Sequence, residues 1–385
     1  MIKEEMKIEF IGARGIPVSY ASAEDIVREL GPRFVRDGDV FVVHCWFNEE
    51  SKKNKIKEDF YYGIKRVFHK TPGGKITGQL FVALKSSIKA AISENDIVHY
   101  QCLNSTIFSW IPRIFGKKVF INVDGQIWKD PKWPWGIRHI YFNLCAIISL
   151  IFGNKIITDS YYMSKYYEKT FKVKLPYIGY GCSKILIKRE ELDKKYIFPN
   201  GYYLIMSRVT PHNLTDIIVD GFISAGSQSH LLIAGHLPDT DWFKNLYERS
   251  KNNNVTYLGL IKDQNELNQL ILNCKVYLHG HSLGGINSAL VRVVGLNRPV
   301  ICVDTPFNRE VVEYPNKKLQ AILFQKDSDS VSHSIHTFEK NEEEFIKNAM
   351  DLGEKVRNSM SWDSIYEEYK NLYIQTIDKN HRRKK

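Results

Sequence analysis

Along this chain, short apolar runs alternate with longer amphipathic stretches. Lys7–Gly12, Val40–Cys45, Ile97–Gln101, Val119–Val123 and Lys155–Thr158 are β-branched and nearly continuous, the pattern of strands buried on both faces. Between them lie helical patterns; in Ile76–Glu94 the residues Leu80, Leu84, Ser87, Ile88 and Ala91 recur at helical spacing. The second half repeats this logic. Strands are predicted at Tyr202–Met206, His230–Ala234, Val255–Leu258, Val276–His279 and Pro299–Val303, with helices at 214–224, 240–252, 264–273 and 288–296. Strand and helix in alternation predict an α/β protein of two doubly wound parallel-sheet units. The junction falls near Leu175–Asn200, where Gly179, Gly181 and Pro199 flank a charged stretch. Trp362, Ile365, Tyr366, Tyr369, Leu372 and Tyr373 form one helical stripe. That stripe suits a helix packed on its own domain or one crossing back to the first.

The longest apolar run, Phe142–Gly153, is about twelve residues, short of the roughly twenty that cross a bilayer. It reads as a buried helix or an interfacial segment. Met1–Met6 is polar and a strand follows it, so no secretory leader is expected. Six scattered cysteines, none at C-x-x-C spacing, indicate neither a zinc site nor a disulfide framework. Length and ordinary composition, with 43% hydrophobic and 25% charged residues, fit a two-domain globular chain. The net charge of +11 is uneven. Residues 1–175 hold 27 Lys and Arg against 18 Asp and Glu, and the rest hold 27 against 25. Residues 51–138 alone hold 16 against 6. This predicts an acidic partner for the first half: an anionic membrane, a phosphorylated ligand or a nucleic acid. No groove-reading motif supports nucleic acid.

Candidate chemistry gathers where strands end. Gly12-Ala13-Arg14-Gly15 turns out of the first strand ahead of a helix starting near Ser22, but it is not G-x-G-x-x-G, so no dinucleotide site is read. Asp124 ends another strand and serves either as a functional carboxylate or as a loop cap. Trp128, Trp133 and Trp135 follow among lysines; they stack on sugars, anchor at a membrane interface or fill a core. Arg208 lies between a strand and a helix, a good position for a phosphate or for a surface ion pair. Gly284-Gly285 precede a helix in an anion-cradling arrangement. His279 and His281 lack a suitably spaced acidic or Cys partner, so no metal is expected.

Taken together, IGARGIPVSY, NVDGQIWKDPKW, YIGYG, SRVTPHN, HGHSLGGINSALV and FNREVVE resemble the rhamnosyltransferase-like branch of the retaining glycosyltransferases of family 4, in that family's order and across nearly the whole chain. The resemblance implies a GT-B fold: two Rossmann-like domains facing a cleft, with the C-terminal helix returning to the N-terminal domain. Expected boundaries are 1–178 for an acceptor domain, 179–360 for a nucleotide-sugar domain, 361–378 for the returning helix and 379–385 for a basic tail. The implied activity is metal-independent hexosyl transfer, with no cofactor, from a nucleotide-sugar to a glycan or lipid-linked saccharide in surface polysaccharide synthesis. The implied location is cytoplasmic, peripheral at the inner face of the plasma membrane.

Position by position, the resemblance gives Arg208 the donor diphosphate and Asp124 a place facing the sugar. Gly15, Asn213, Gly284, Gly285, Asn287, Asn308 and Glu310 fall to the donor site, and Arg292 is counted with them. The chain also departs from the family. Ala21-Ser22 stand where it has two glycines, Ile127 where it has Glu, and Asp130 where it has Arg. Arg292 stands where a Glu binds the nucleotide ribose, and Gly284 replaces the other carboxylate, as is usual in this branch. Two readings follow: an active transferase with an altered donor site, in which Arg292 meets the diphosphate or is offset by a neighbour, or a degenerate relative that binds a glycan, a membrane or a partner transferase.

Overall fold

The computed structural model describes residues 5–17, 22–47, 56–71, 75–129, 135–188, 193–315 and 318–381, with backbone alone for Lys75, Ile127, Trp135 and 378–381. The chain divides into two compact units, Met1–Tyr180 with Trp362–Lys385, and Gly181–Ser361.

The first unit is built on strands β1 (Lys7–Ile11), β2 (Val40–Trp46), β3 (Glu58–Tyr61), β4 (Ile64–His69), β5 (Ile97–Gln101), β6 (Lys118–Val123) and β7 (Lys155–Thr158). They lie in the order β3-β4-β2-β1-β5-β6-β7. All neighbours are parallel except the β3–β4 hairpin. Tyr62 and Gly63, at φ 47° and 78°, make its two-residue turn, the left-handed pair that matches the twist of a hairpin. The central strands are buried along their length, as continuous apolar runs require. The Ser22–Arg36 helix buries Ile26, Val27, Leu30 and Phe34.

The C-terminal helix, Trp362–His381, belongs to this first unit. Its aromatic stripe explains why. Tyr366, Tyr369 and Tyr373 are buried, and the Tyr373 ring meets Phe120 edge-on at 4.7 Å. The Tyr373 hydroxyl lies 2.9 Å from His99 Nδ1, Asn122 Nδ2 donates to the Tyr369 hydroxyl at 3.1 Å, and Tyr366 donates to Asp37 at 2.7 Å. Arg33 pairs with Asp363 at the helix start.

The second unit carries β8 (Tyr202–Met206), β9 (His230–Ala234), β10 (Val255–Gly259), β11 (Val276–His279), β12 (Val300–Val303) and β13 (Ile322–Phe324) in the order β10-β9-β8-β11-β12-β13. Every pairing is parallel. Helices Thr215–Ala225 and Ser328–Lys340 pack closely at Gly221, where a Cβ would come within 2.5 Å of Val331. All six cysteines are free thiols.

Candidate functional site

An open parallel sheet leaves a crevice at the carboxyl ends of its strands where the strand order reverses direction. In the second unit that point lies between β8 and β11. The loops leaving these strands are tied to each other. Asn213 Nδ2 donates to the Arg208 carbonyl at 2.7 Å, and Asn213 Oδ1 lies 3.2 Å from His281 Nδ1. Ser282 donates to the His212 carbonyl at 2.9 Å. Gly280 permits this approach, because a Cβ there would lie 2.0 Å from the Asn213 carbonyl oxygen. From the next strand, Asn308 Nδ2 donates to the His281 carbonyl at 3.3 Å and to the Val303 carbonyl at 2.9 Å.

The lock leaves Arg208 exposed at the sheet edge. Burial, with the Arg208 and His212 charges, pulls the His281 imidazole down to about 4, so it is neutral at pH 7. Gly284 takes φ 99°, a conformation that favours glycine. The chain then enters the Ser288–Gly295 helix, whose first turn is capped by Asn287 Oδ1 accepting from Ala289 N at 2.8 Å. Neutral imidazole, exposed guanidinium and a glycine loop ahead of a helix start suit a phosphorylated ligand. Asn308 and Glu310 lie on the Pro306–Val312 helix after β12, Asn308 buried and Glu310 half-buried.

Arg292 is engaged sideways. Its Nε and Nη2 reach Asn268 Oδ1 at 2.9 and 2.6 Å, and Nη1 reaches Gln264 Oε1 at 2.9 Å. Nη2 also meets the Gln264 carbonyl at 3.2 Å. These partners are neutral and lie on the neighbouring Gln264–Asn273 helix. The side chain thereby ties two helices together.

In the first unit, the reversal point lies between β1 and β5. Gly15 sits in the loop after β1 at φ 141°. Asp124 Oδ1 accepts from Leu103 N at 3.2 Å, so this carboxylate braces the loop after β5. Trp128 is half-buried, its ring 4.9 Å from that of Tyr166, packed rather than projecting as a membrane anchor would. Trp133, Ala21 and Asp130, and the Trp135 side chain, lie outside the described residues.

One group at this edge escaped sequence reasoning. Glu24 is buried in the first turn of its helix and accepts from Arg14 N at 2.6 Å through Oε1. Its Oε2 is buried without a hydrogen-bond partner. Burial pushes the carboxyl up to about 7. The signal was weak but present: Glu24 precedes Val27 by three residues on the apolar side of the helix. Among the described residues, no group of three or more His, Cys, Asp and Glu is arranged to hold a metal ion.

Residues 189–359 match the family described as glycosyl transferases group 1. The match spans nearly the whole of the C-terminal unit, Gly181–Ser361. Arg208, Asn213, Gly284, Gly285, Asn287, Arg292, Asn308 and Glu310 all fall within this matched stretch. Residues 5–183 match a domain of unknown function, DUF1972. No curated protein matches the chain by sequence. Among solved structures, the chain is similar to sucrose-phosphate synthase from Thermosynechococcus elongatus, with TM-score 0.77, 13% identity, and coverage of 97% of this chain and 100% of that one. It is also similar to HepE of Anabaena in complex with UDP-glucose, with TM-score 0.74, 14% identity, and coverage of 96% and 100%. A third similar structure is an α,α-trehalose-phosphate synthase (UDP-forming) from Burkholderia vietnamiensis, with TM-score 0.68, 8% identity, and coverage of 95% and 98%. The fold around the group 1 domain is GT-B, two Rossmann-like domains with a returning C-terminal helix.

Proposed function

We propose that the protein is a retaining glycosyltransferase that moves a sugar from a nucleotide-sugar to a glycan or lipid-linked saccharide in surface polysaccharide synthesis. The observation that carries this reading is the β8–β11 lock, which holds Arg208 exposed beside the Gly284-Gly285 loop of a group 1 domain. As the sugar–diphosphate bond breaks, negative charge grows on the leaving phosphate. A guanidinium carried on this locked loop, with helix-start amides, stabilises that charge. The acceptor hydroxyl attacks on the face that the diphosphate leaves, and the leaving phosphate takes the acceptor proton, so the step needs neither a metal nor a protein base. Asp124 supplies a polar contact in the acceptor domain. The rhamnosyltransferase-like resemblance makes a hexosyl donor the first choice.

A second reading is favoured by one observation. Arg292 stands where the resemblance expects a ribose-binding carboxylate, and its guanidinium is occupied by Gln264 and Asn268. A chain adapted that way binds a glycan or a partner transferase without turnover.

Calorimetry with UDP-glucose, GDP-mannose and dTDP-rhamnose separates the two. The transferase reading expects binding of at least one, release of its nucleotide with an acceptor, and a loss of about tenfold or more in affinity for Arg208→Ala, the size of one lost charge-assisted contact. Binding of none of the three, or an Arg208→Ala variant that binds as tightly as wild type, counts against it.

A further inference from the structure

The Trp135–Phe152 helix buries Phe142, Cys145, Ala146 and Ser149 against its own unit. Its opposite side is also apolar. Ile137, Ile140, Leu144, Ile147 and Ile151 are exposed there, Ile140 by 73% and Ile151 by 66%. Their spacing alternates three and four residues, so they form one straight row. At 1.5 Å per residue the row runs about 21 Å. Apart from Arg138 and His139 near its start, the helix carries no charge or imidazole. The sequence left Phe142–Gly153 as either a buried helix or an interfacial segment; the helix has one buried apolar side and one exposed apolar side.

The row continues onto neighbours. From β4 to β5, β5 to β6 and β6 to β7 the chain advances in the same direction across the sheet. Right-handed crossovers therefore put the Lys75–Ile92, Trp110–Ile114 and Trp135–Phe152 helices on one face of the sheet. The first packs on the second and the second on the third. The short middle helix and its end expose Ile114 and Phe115. The first helix exposes Lys85, Ile88 and Ile92 along one side.

The charge on this face is mainly basic; Glu58 of β3 reaches it and pairs with Lys89. The three helices contain no Asp or Glu and carry Lys75, Lys85, Lys89, Arg113 and Arg138. Lys117 and Lys118 follow the middle helix, and Glu94 and Asp96 follow the first, so the balance stays basic. Exposed apolar surface of this extent on a soluble protein marks an interaction site. A mixture of isoleucine and lysine with few acidic residues matches an anionic bilayer surface, with apolar side chains at the acyl boundary and basic ones among headgroup phosphates. A second copy of this chain fits poorly, because a twofold contact would set the basic face against itself. No helix among the described residues is long and apolar enough to cross a membrane, so the contact is peripheral.

We propose that the face formed by the Lys75–Ile92, Trp110–Ile114 and Trp135–Phe152 helices docks the protein on an anionic phospholipid bilayer. This moves the anchor from Trp128, Trp133 and Trp135 to the isoleucine row. It does not depend on sugar transfer, and its test reads no transfer.

The full chain is sedimented with vesicles of phosphatidylglycerol and phosphatidylcholine in equal parts, and with pure phosphatidylcholine, at low and high salt. Binding to the anionic vesicles alone, weakened by salt, is expected. Replacing Ile140 and Ile147 by Asp should weaken it about tenfold or more, and Lys85→Gln or Arg113→Gln about fivefold each. Hydrogen exchange of the wild type, which needs no variant to fold, should slow over residues 137–151 when anionic vesicles are added. The proposal is overturned by wild type that ignores both vesicles or binds both alike, or by an Ile140→Asp, Ile147→Asp protein that folds and binds like wild type. Protection of residues 137–151 that rises with protein concentration without vesicles would instead assign the face to a protein contact and overturn it too.

Discussion

Glu24 shows how far one side chain departs from its sequence context. A carboxylate in the first turn of a helix ordinarily reads as a charge facing the helix dipole. This one is buried with a backbone N–H on one oxygen and, among the described residues, no hydrogen-bond partner on the other. Burial disfavours its ionised form, so its pKa rises from the ordinary 4.5 to about 7. The folded state therefore holds this proton more tightly than the unfolded chain. The resulting stability is complete below pH 4.5, falls as pH rises, and is gone above pH 7, a span on the order of 3 kcal/mol. Glu24→Gln keeps an acceptor for Arg14 N but cannot ionise. Urea unfolding from pH 4.5 to 8 should show wild type losing stability relative to the variant as pH rises; a constant difference would contradict this assignment. Arg292 is the other residue whose surroundings redefine it. Sequence raised its charge as a donor-site question, whereas its hydrogen bonds to Gln264 and Asn268 make it a brace between helices.

Among elements, legibility followed burial. Strands such as β1, β5, β8 and β11 are covered on both faces, so their apolar runs were plain in the sequence. The β3–β4 hairpin was not. Glu58–Tyr61 is an edge strand with exposed and half-buried positions, and its Glu and Asp point to loop rather than sheet. The Tyr161–Phe171, Ser328–Lys340 and Glu342–Ser359 helices were also missed, because their polar positions dilute the apolar period. Of the group 1 domain residues, Arg208, Asn213 and Asn308 could be placed at strand ends from sequence. The hydrogen bonds that lock them through His281 could not, because they join residues 27 and 68 positions apart. The C-terminal helix was legible as an aromatic stripe, and its destination is now fixed by contacts. Tyr373→Ala should cost about 3 to 5 kcal/mol, the usual range for emptying an aromatic core site. Tyr373→Phe, which loses only the hydroxyl contact to His99, should cost about 1 kcal/mol. Denaturant titration checks both, and equal losses would mean that the ring contributes nothing beyond its hydroxyl.

At the scale of the molecule, chemistry and charge are unevenly divided. The donor machinery proposed here lies in Gly181–Ser361, while the basic surplus and the isoleucine row lie in the first unit. A nucleotide-sugar at a hundred times its dissociation constant should stabilise its unit by about 2.7 kcal/mol. Hydrogen exchange should then slow in β8 and β11 and stay unchanged in β1 and β5. Protection spread evenly over both units would instead place the ligand elsewhere.

The position of the Trp362–His381 helix also dictates an order of events during synthesis. Gly181–Ser361 is one unbroken stretch and holds all its own strands, so it is ready to fold as soon as it has emerged. The first unit is made earlier but cannot close its core around Phe120 and His99 until Tyr369 and Tyr373 arrive. During synthesis, the half made second therefore has all its parts before the half made first, whose core lacks the Tyr369 and Tyr373 rings until the last helix is made.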